Sequence, residues 1–430
     1  MKKIIRALLL GLCLKGLAMA VELKNLEVKG VQIPVIYEKS SQLPLFHMQV
    51  IFKGAGAVSN HQSYGLSDIT SSLLNEGTKA LGATRFAQKL EERAITLNVG
   101  SGLETMNFTL SGMKAEQKKA LEYLKELIQS PNFTPKALEK VRENALITLL
   151  EKENDFDYQA QKGLNAMIFK GSAMEYPLGG TTQSLQKITL KEIEAFYKHY
   201  INLKSMILVI GGDVEFETLK KRLQNTFESL PIGEEVAIPT IVVSDKSEMK
   251  TLKKDTKQAY IYFGAPFFVQ DFQKESAKIK VASFVLGGGG FGSRMLEEVR
   301  VKRGLAYSAM MYLSSRNAFS YAQGYLQTSL ENQKEALKIV KEVVEEYLAK
   351  GMTQKELNEA KQYLLGSEPL RNETLEQRLG SAFNYYYRGL PLDFGSQVLQ
   401  EIQNLKLQEI NDYIKKHQEI KNLSFFVVTE

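Results

Sequence analysis

Residues 65–78 read Gly-Leu-Ser-Asp-Ile-Thr-Ser-Ser-Leu-Leu-Asn-Glu-Gly-Thr, and no other stretch does more to indicate the fold. Glycine opens the stretch, two adjacent leucines lie in its middle, and Gly-Thr closes it. Among its polar residues, Asp68, Ser71 and Ser72 supply one carboxylate and two hydroxyls. These three side chains are a poor ligand set for zinc, which proteins bind mainly through imidazole, thiolate and carboxylate groups.

A second informative stretch covers residues 286–309 and reads LGGGGFGSRMLEEVRVKRGLAYSA. Its glycines match the spacing of a dinucleotide-binding fingerprint. That fingerprint requires a preceding strand and an acidic residue about 20 positions later. Here the apolar residues of 279–285 recur at helical spacing, the acidic residue is missing, and so is the lysine of a phosphate-binding loop. The stretch is therefore not interpreted as a nucleotide site.

Both stretches resemble the pitrilysin, insulinase and mitochondrial processing peptidase family. In that family the first stretch is a helix with the inverted zinc motif H-x-x-E-H, whose positions fall here on Asp68, Ser71 and Ser72. A glutamate from a later helix completes the family's zinc site, but this chain has Thr148 and Leu149 at the expected spacing. The resemblance implies a family member whose own zinc motif is degenerate and which binds no metal.

The second stretch resembles the glycine-rich loop and following helix of the family's C-terminal domains. There an arginine and a tyrosine seven residues apart face the substrate chamber, and Arg300 and Tyr307 have this spacing. The resemblance implies that they hold the substrate carbonyl and stabilise the oxyanion. The alternative is a surface ion pair for Arg300 and a core position for Tyr307. The loop glycines predicted to approach peptide or partner are Gly287, Gly288, Gly289 and Gly290.

An edge strand that pairs with the substrate backbone is also implied by the resemblance. The residues predicted to bind substrate in this way are Leu97, Asn98, Val99, Gly100 and Ser101. Such pairing tolerates many sequences because it uses main-chain groups. An ordinary hairpin is the equally supported alternative.

Four pairs of similar segments, in the same order and about 217 residues apart, indicate an internal duplication. The pairs are 116–121 with 332–337, 134–138 with 353–357, 190–193 with 407–410, and 206–209 with 424–427. The sequence predicts an α+β fold of two homologous domains, 21–225 and 250–430, joined by a linker at 226–249. Each domain is expected to be a mostly antiparallel sheet covered by helices.

Residues 1–20 are predicted to be a signal peptide, with a basic start, a short apolar run and Ala18-Met19-Ala20 as the cleavage pattern. Four of the positive charges behind the formal charge of +6 lie in this segment, and so does the only cysteine, Cys13. The remaining charge of +2 gives no indication of nucleic acid binding. No apolar run of about 18 residues suggests a membrane span. The predicted location is the periplasm or, more generally, outside the cytoplasm after export.

The four histidines are too far apart in sequence to form a helical metal pair, and we interpret them as surface or hydrogen-bonded residues: His47, His61, His199 and His417. The prediction is a non-catalytic subunit of a heterodimeric zinc endopeptidase. A homologous partner would carry the zinc, and peptides would be the substrates. One alternative is an inert peptide-binding or scaffold protein of the same fold, and another is an active peptidase with an unconventional site at Asp68.

Overall fold

The structure is a computed structural model that describes residues 21–430, so the predicted signal peptide and Cys13 lie outside the described residues. Two sheets organise this part of the chain, one of six strands and one of five. Within the described residues no helix is both long enough and apolar enough to cross a membrane.

The first half of the chain builds the six-stranded sheet. Its strands are β1 (Glu22–Val28), β2 (Val31–Lys39), β3 (Leu45–Lys53), β4 (Thr96–Ser101), β5 (Thr105–Met113) and β6 (Met206–Gly212). Its helices are α1 (Leu66–Leu74), α2 (Gly82–Glu91), α3 (Gln117–Gln129), α4 (Pro135–Lys152), α5 (Phe156–Ile168), α6 (Thr182–Lys187), α7 (Leu190–Tyr200) and α8 (Phe216–Phe227).

The second half builds the five-stranded sheet. Its strands are β7 (Met249–Lys253), β8 (Gln258–Pro266), β9 (Ala309–Ser315), β10 (Ser320–Ser329) and β11 (Ser424–Thr429). Its helices are α9 (Phe272–Ser283), α10 (Arg294–Leu296), α11 (Gln333–Lys350), α12 (Gln354–Arg371), α13 (Leu375–Tyr387), α14 (Phe394–Asn404) and α15 (Leu407–Lys416). Two π-helical turns, Phe284–Gly288 and Glu297–Val301, follow α9 and α10.

The two sheets have the same strand order, which confirms the predicted duplication. The first runs β1-β2-β6-β3-β5-β4 and the second β7-β11-β8-β10-β9, so only β1 lacks a counterpart. Each sheet contains one parallel pair, β2 with β6 and β7 with β11, and its other pairs are antiparallel. The repeated segments of the sequence fall on α3 and α11, α4 and α12, α7 and α15, and β6 and β11.

Local capping explains where matching helices of the two halves begin. The hydroxyl of Thr134 accepts a hydrogen bond from the N–H of Ala137 at 3.3 Å, and proline occupies the first helical position of α4. Thr353 caps α12 in the same way and forms a reciprocal capping box with Glu356. Such caps accept hydrogen bonds from N–H groups that the first turn of a helix leaves without partners. These capping residues therefore predict both helix starts from the sequence.

Each half lends one helix to the other sheet. Helix α5 packs on β8 and β11, and α13 packs on β2 and β6. The close approach requires small residues, because a Cβ at Gly163 would lie 2.3 Å from the Phe426 ring and one at Gly211 would lie 2.6 Å from Leu379. Neither exchange was predicted from the sequence, and together they place the two halves in direct contact.

Candidate functional site

Helix α1 holds the degenerate motif between β4, α4 and α7. Gly65 precedes it with φ of 90°, and a Cβ there would lie 2.8 Å from the carbonyl oxygen of Gly179. Only glycine adopts this backbone conformation without strain, which explains the glycine that opens the motif. The apolar face of α1 is buried in the core of the first half, with Leu73 and Leu74 fully covered.

Arg300 and Tyr307 meet at the surface of the second half. Arg300 lies on the π-helical turn Glu297–Val301, and its guanidinium carbon is 4.2 Å from the centroid of the Tyr307 ring and 5.0 Å from that of Phe291. Tyr307 is 82% exposed and Phe291 is 73% exposed. The pair is thus brought together, and Tyr307 does not occupy the core position of the alternative interpretation.

The other cations of this segment are all paired. Arg294 binds Glu356 at 2.6 Å, while Lys302 and Arg303 share Glu298. Within residues 21–430 no carboxylate lies within 4.0 Å of the Arg300 guanidinium, so the surface ion pair of the alternative interpretation is not formed. The half-buried Arg300 guanidinium instead lies against two exposed aromatic rings.

The glycine-rich loop passes close to its own chain. A Cβ at Gly287 would lie 2.4 Å from the Met311 backbone nitrogen, and one at Gly289 would lie 2.8 Å from the Phe284 carbonyl oxygen. Gly290 has a φ of 62° and open space around it. Gly287 therefore allows close packing against β9 and Gly289 against Phe284, while contact of this loop with a peptide stays a prediction.

Strand β4 lies at the edge of the first sheet, but part of that edge is occupied. The side-chain amide of Asn75 donates to the Val99 carbonyl oxygen at 2.8 Å and accepts from the Val99 N–H at 2.8 Å. The backbone N–H and C=O groups of successive strand residues point alternately to the two sides of the strand. Those of Leu97 and Ser101 therefore point to the open side of the sheet, one on each side of the Asn75–Val99 contact. Peptide pairing along 97–101 stays a prediction, and it would require Asn75 to move away from Val99. Sequence reasoning missed Asn75, whose only signal is its place directly after α1.

A cavity of about 580 Å³ opens beside Tyr307. Asp157 of α5 reaches it from the other half, where its carboxylate accepts hydrogen bonds from the Tyr262 hydroxyl at 3.2 Å and from the Gln327 amide. Burial raises the pKa of Asp157. Tyr262 stacks on Tyr325 with ring centroids 5.5 Å apart. The exchange of α5 creates this polar and aromatic cavity, which sequence reasoning did not foresee.

Comparison with known proteins identifies the family. Sequence models match for the insulinase family (peptidase family M16) over residues 36–182 and for the peptidase M16 inactive domain over residues 187–364. A Helicobacter pylori protein described as non-peptidase homolog YmxG is 45% identical over 429 residues, which are 100% of this chain and 99% of that protein.

The chain belongs to the M16 (insulinase) family.

Solved structures agree with the M16 assignment. The peptidase M16 inactive domain from Pseudomonas fluorescens superposes with a TM-score of 0.86 at 24% identity, over 95% of this chain and 98% of that one. A protease from Helicobacter pylori superposes with a TM-score of 0.81 at 19% identity, over 95% of this chain and 100% of that one. The predicted two-domain α+β fold is confirmed.

The residues at the M16 zinc-motif positions do not fit a zinc ion. The Ser71 hydroxyl donates to the backbone oxygen of Asp68 at 2.9 Å, within its own helix. Burial raises the pKa of Asp68, and the ammonium of Lys152 at the end of α4 opposes that shift. On α4, Thr148 is exposed and Leu149 packs into the core. Nowhere in residues 21–430 do three His, Cys, Asp or Glu side chains form a group that could hold a metal ion.

The four histidines have different surroundings, and His199 is exposed. His47 and His417 are buried, with their Nδ1 atoms 3.6 Å from Glu376 and 2.7 Å from Glu419. His61 is exposed. The His47 ring thus lies near Glu376 of α13, and the His417 ring contacts a carboxylate only two residues along the chain.

Proposed function

We propose that this chain is the non-peptidase subunit of an exported heterodimeric zinc endopeptidase. It contributes Arg300, Tyr307 and part of the wall of a peptide-binding chamber. A homologous partner with an intact motif contributes the zinc and the glutamate that activates water. The observation that carries the proposal is the contact between the half-buried Arg300 and the exposed Tyr307, because the guanidinium has no carboxylate partner among the described residues in a segment whose other cations are paired.

The chemistry of the pair suits a polarised peptide carbonyl. Guanidinium and phenol groups are both hydrogen-bond donors, and together they can bind one carbonyl oxygen from two directions. The negative charge that grows on this oxygen during attack by water is stabilised most by donors already in place. Stacking of Arg300 on Tyr307 and Phe291 restrains the guanidinium while its N–H edges stay available for substrate.

The relatives support a division of labour between two chains. Helicobacter pylori has both a non-peptidase homologue 45% identical to this chain and a protease of the same fold. The cavity beside Tyr307 supplies room and polar partners for a peptide next to the pair. A complex of this kind needs one zinc site for each clamp, by which we mean the Arg300–Tyr307 pair. It would therefore not require zinc ligands on α1 of this chain.

Mutation of the clamp within an assembled complex tests the proposal. The tagged mature chain is purified from its native source with its partner, and chelator-sensitive peptide hydrolysis is measured. Arg300→Ala and Tyr307→Phe are expected to lower kcat by about 100-fold, the usual effect of removing an oxyanion donor. Arg303→Ala is the matched control, because it removes a cation three residues away that is already paired with Glu298.

Three outcomes would contradict the proposal. Full activity of the complex with Arg300→Ala would favour an inert scaffold. Purification of the chain without any M16 partner would do the same. Chelator-sensitive hydrolysis by the isolated chain would favour an unconventional site at Asp68. Co-purification of the partner with each variant is verified first, so that loss of assembly is not mistaken for loss of chemistry.

Export is tested separately by the mass of the purified chain. We expect the mature protein to begin at Val21, because the small residues Ala18 and Ala20 precede it in a cleavage pattern. Intact-mass measurement of protein from the periplasmic fraction reads this directly. Recovery of the chain in the cytoplasm with residues 1–20 still attached would contradict export and leave the clamp proposal untouched.

A further inference from the structure

A second cavity lies where the linker meets the second half. It has a volume of about 660 Å³ and is formed by four segments: linker residues 240–243, residues 267–273 after β8, the β9–β10 turn at 315–320, and residues 388–390 after α13. None of its residues belongs to the clamp, the degenerate motif or the edge strand.

Arg388 is a half-buried charged residue that lines this cavity. Its guanidinium carbon lies 3.4 Å from the centroid of the Phe272 ring. It donates to the Ser315 backbone oxygen at 2.8 Å and to the Ser315 hydroxyl at 3.2 Å. Within residues 21–430 no carboxylate lies within 4.0 Å of it. Burial lowers the pKa of Arg388 to about 10, and the more distant Glu104 opposes that shift.

The neighbouring acidic groups are already engaged. Asp271 pairs with Lys274 at 2.8 Å, and Glu104 accepts a hydrogen bond from the Ala318 N–H at 3.2 Å. Arg316, an exposed residue at the turn, adds a second positive charge to the lining. Arg388 and Arg316 contribute two positive charges, and the Asp271–Lys274 pair is neutral. The nearby Glu104 keeps its negative charge, so the net charge is about +1 (2 − 1), which matches a ligand with a single negative charge better than a phosphate dianion.

The remaining walls are apolar and partly open to solvent. Val242 is 77% exposed and Phe268 is 56% exposed, and both face the same cavity as the buried Phe319. Apolar side chains grouped beside an arginine favour a ligand that has an apolar body and an anionic end. The planar guanidinium, held by stacking on Phe272, is suited to a carboxylate because the two groups have matching geometry.

We propose that this cavity binds a carboxylate carried on an apolar body, with the carboxylate on Arg388 and the apolar part against Val242 and Phe268. The two sources of this chemistry are a small organic acid and the C-terminus of a peptide that ends in an apolar residue. The site is independent of the proposed peptidase role, because no clamp residue takes part.

Fluorescence offers a direct test, because the chain contains no tryptophan. A Phe268→Trp reporter in the full mature chain is titrated with phenylacetate and with acetyl-Ala-Phe as the free acid. Each acid is compared with its amide, phenylacetamide or acetyl-Ala-Phe-amide. We expect saturable emission changes below about 10 mM for at least one acid and at least tenfold weaker binding of its amide. The tighter of the two acids identifies the source.

Three variants in the reporter background separate ligand binding from folding. Arg388→Gln is expected to weaken the acid about tenfold or more, and Arg388→Lys several-fold, because lysine keeps the charge but lacks the planar fork. Lys338→Gln removes one charge from an exposed site on α11 and should leave binding unchanged. Thermal unfolding of the parent chain with acid and with amide gives a second measure that needs no variant. Equal binding of acid and amide, or no saturable binding of either acid, would overturn the proposal.

Discussion

The buried imidazole of His47 makes stability depend on pH. Burial lowers the pKa of His47, and Glu376, 3.6 Å away, only partly opposes the shift. Its Nδ1 atom has no hydrogen-bond partner among the described residues. As the pH falls through about 6.5, His47 binds a proton in the unfolded chain, whereas in the folded chain it does so only at lower pH. Protonation of His47 therefore leaves the free energy of unfolding unchanged above that pH and lowers it on acidification.

Replacement of His47 reveals this contribution. We expect the free energy of unfolding of the parent chain to fall between pH 7.5 and 5.5, and His47→Gln to show a smaller fall. Glu356 and Glu419 have lowered pKa values and titrate below this window. Asp68 and Asp157 have raised pKa values, but both are present in the parent and in the variant, so the difference between the two proteins isolates His47. Urea unfolding at both pH values measures the difference. His61→Asn is the control, because His61 is exposed and asparagine tolerates its φ of 47°. Equal pH dependence of His47→Gln and the parent would refute the argument.

Two glycines of one loop are required for different physical reasons, which a pair of substitutions separates. At Gly287 a Cβ would meet the Met311 backbone 2.4 Å away, whereas Gly290 has open space and a φ of 62°. Gly287→Ala is expected to cost about 3 kcal/mol through overpacking against backbone. Gly290→Ala should cost about 1 kcal/mol of conformational strain. Chemical denaturation of both variants provides the measurement. The reverse order would show that the loop does not pack on β9 as described.

The elements that sequence reasoning recovered are those that local signals determine. Thr134 and Thr353 indicate helix starts because each caps its helix through a residue three positions later. The helical spacing of apolar residues before Gly287 predicted helix α9. The contacts that it missed join residues distant in sequence. Asn75 reaches the edge of β4, and Asp157 reaches a cavity of the other half. Contacts between residues distant in sequence leave no periodic pattern in the chain. The sequence therefore predicted the residues of the candidate site but not the side chains that surround them.

The exchanged helices α5 and α13 pack the two halves of the chain against each other. Apart from residues 228–248, which connect α8 to β7, the two halves are joined by α5 on the second sheet and α13 on the first. A buried ion pair crosses the same boundary: Arg378 of α13 binds both carboxylate oxygens of Glu38, whose side chain is fully buried. Fixed halves would keep Arg300 in a constant position relative to the first sheet, so the proposed chamber wall would be preorganised and not hinged.

Cutting the linker tests whether this packing alone holds the halves together. A recognition sequence for a site-specific protease is inserted after the exposed Glu234, and the cleaved chain is analysed by gel filtration. We expect both fragments to elute together at the volume of the intact chain and to separate only in denaturant. In the cleaved chain, Glu38→Gln should cost about 3 kcal/mol, because it leaves Arg378 without its carboxylate, and the fragments should separate at lower urea. Glu22→Gln, which breaks an exposed pair with Lys24, should have little effect. Separation of the fragments in native buffer would show that the covalent linker, and not the exchanged helices, maintains the two-domain arrangement.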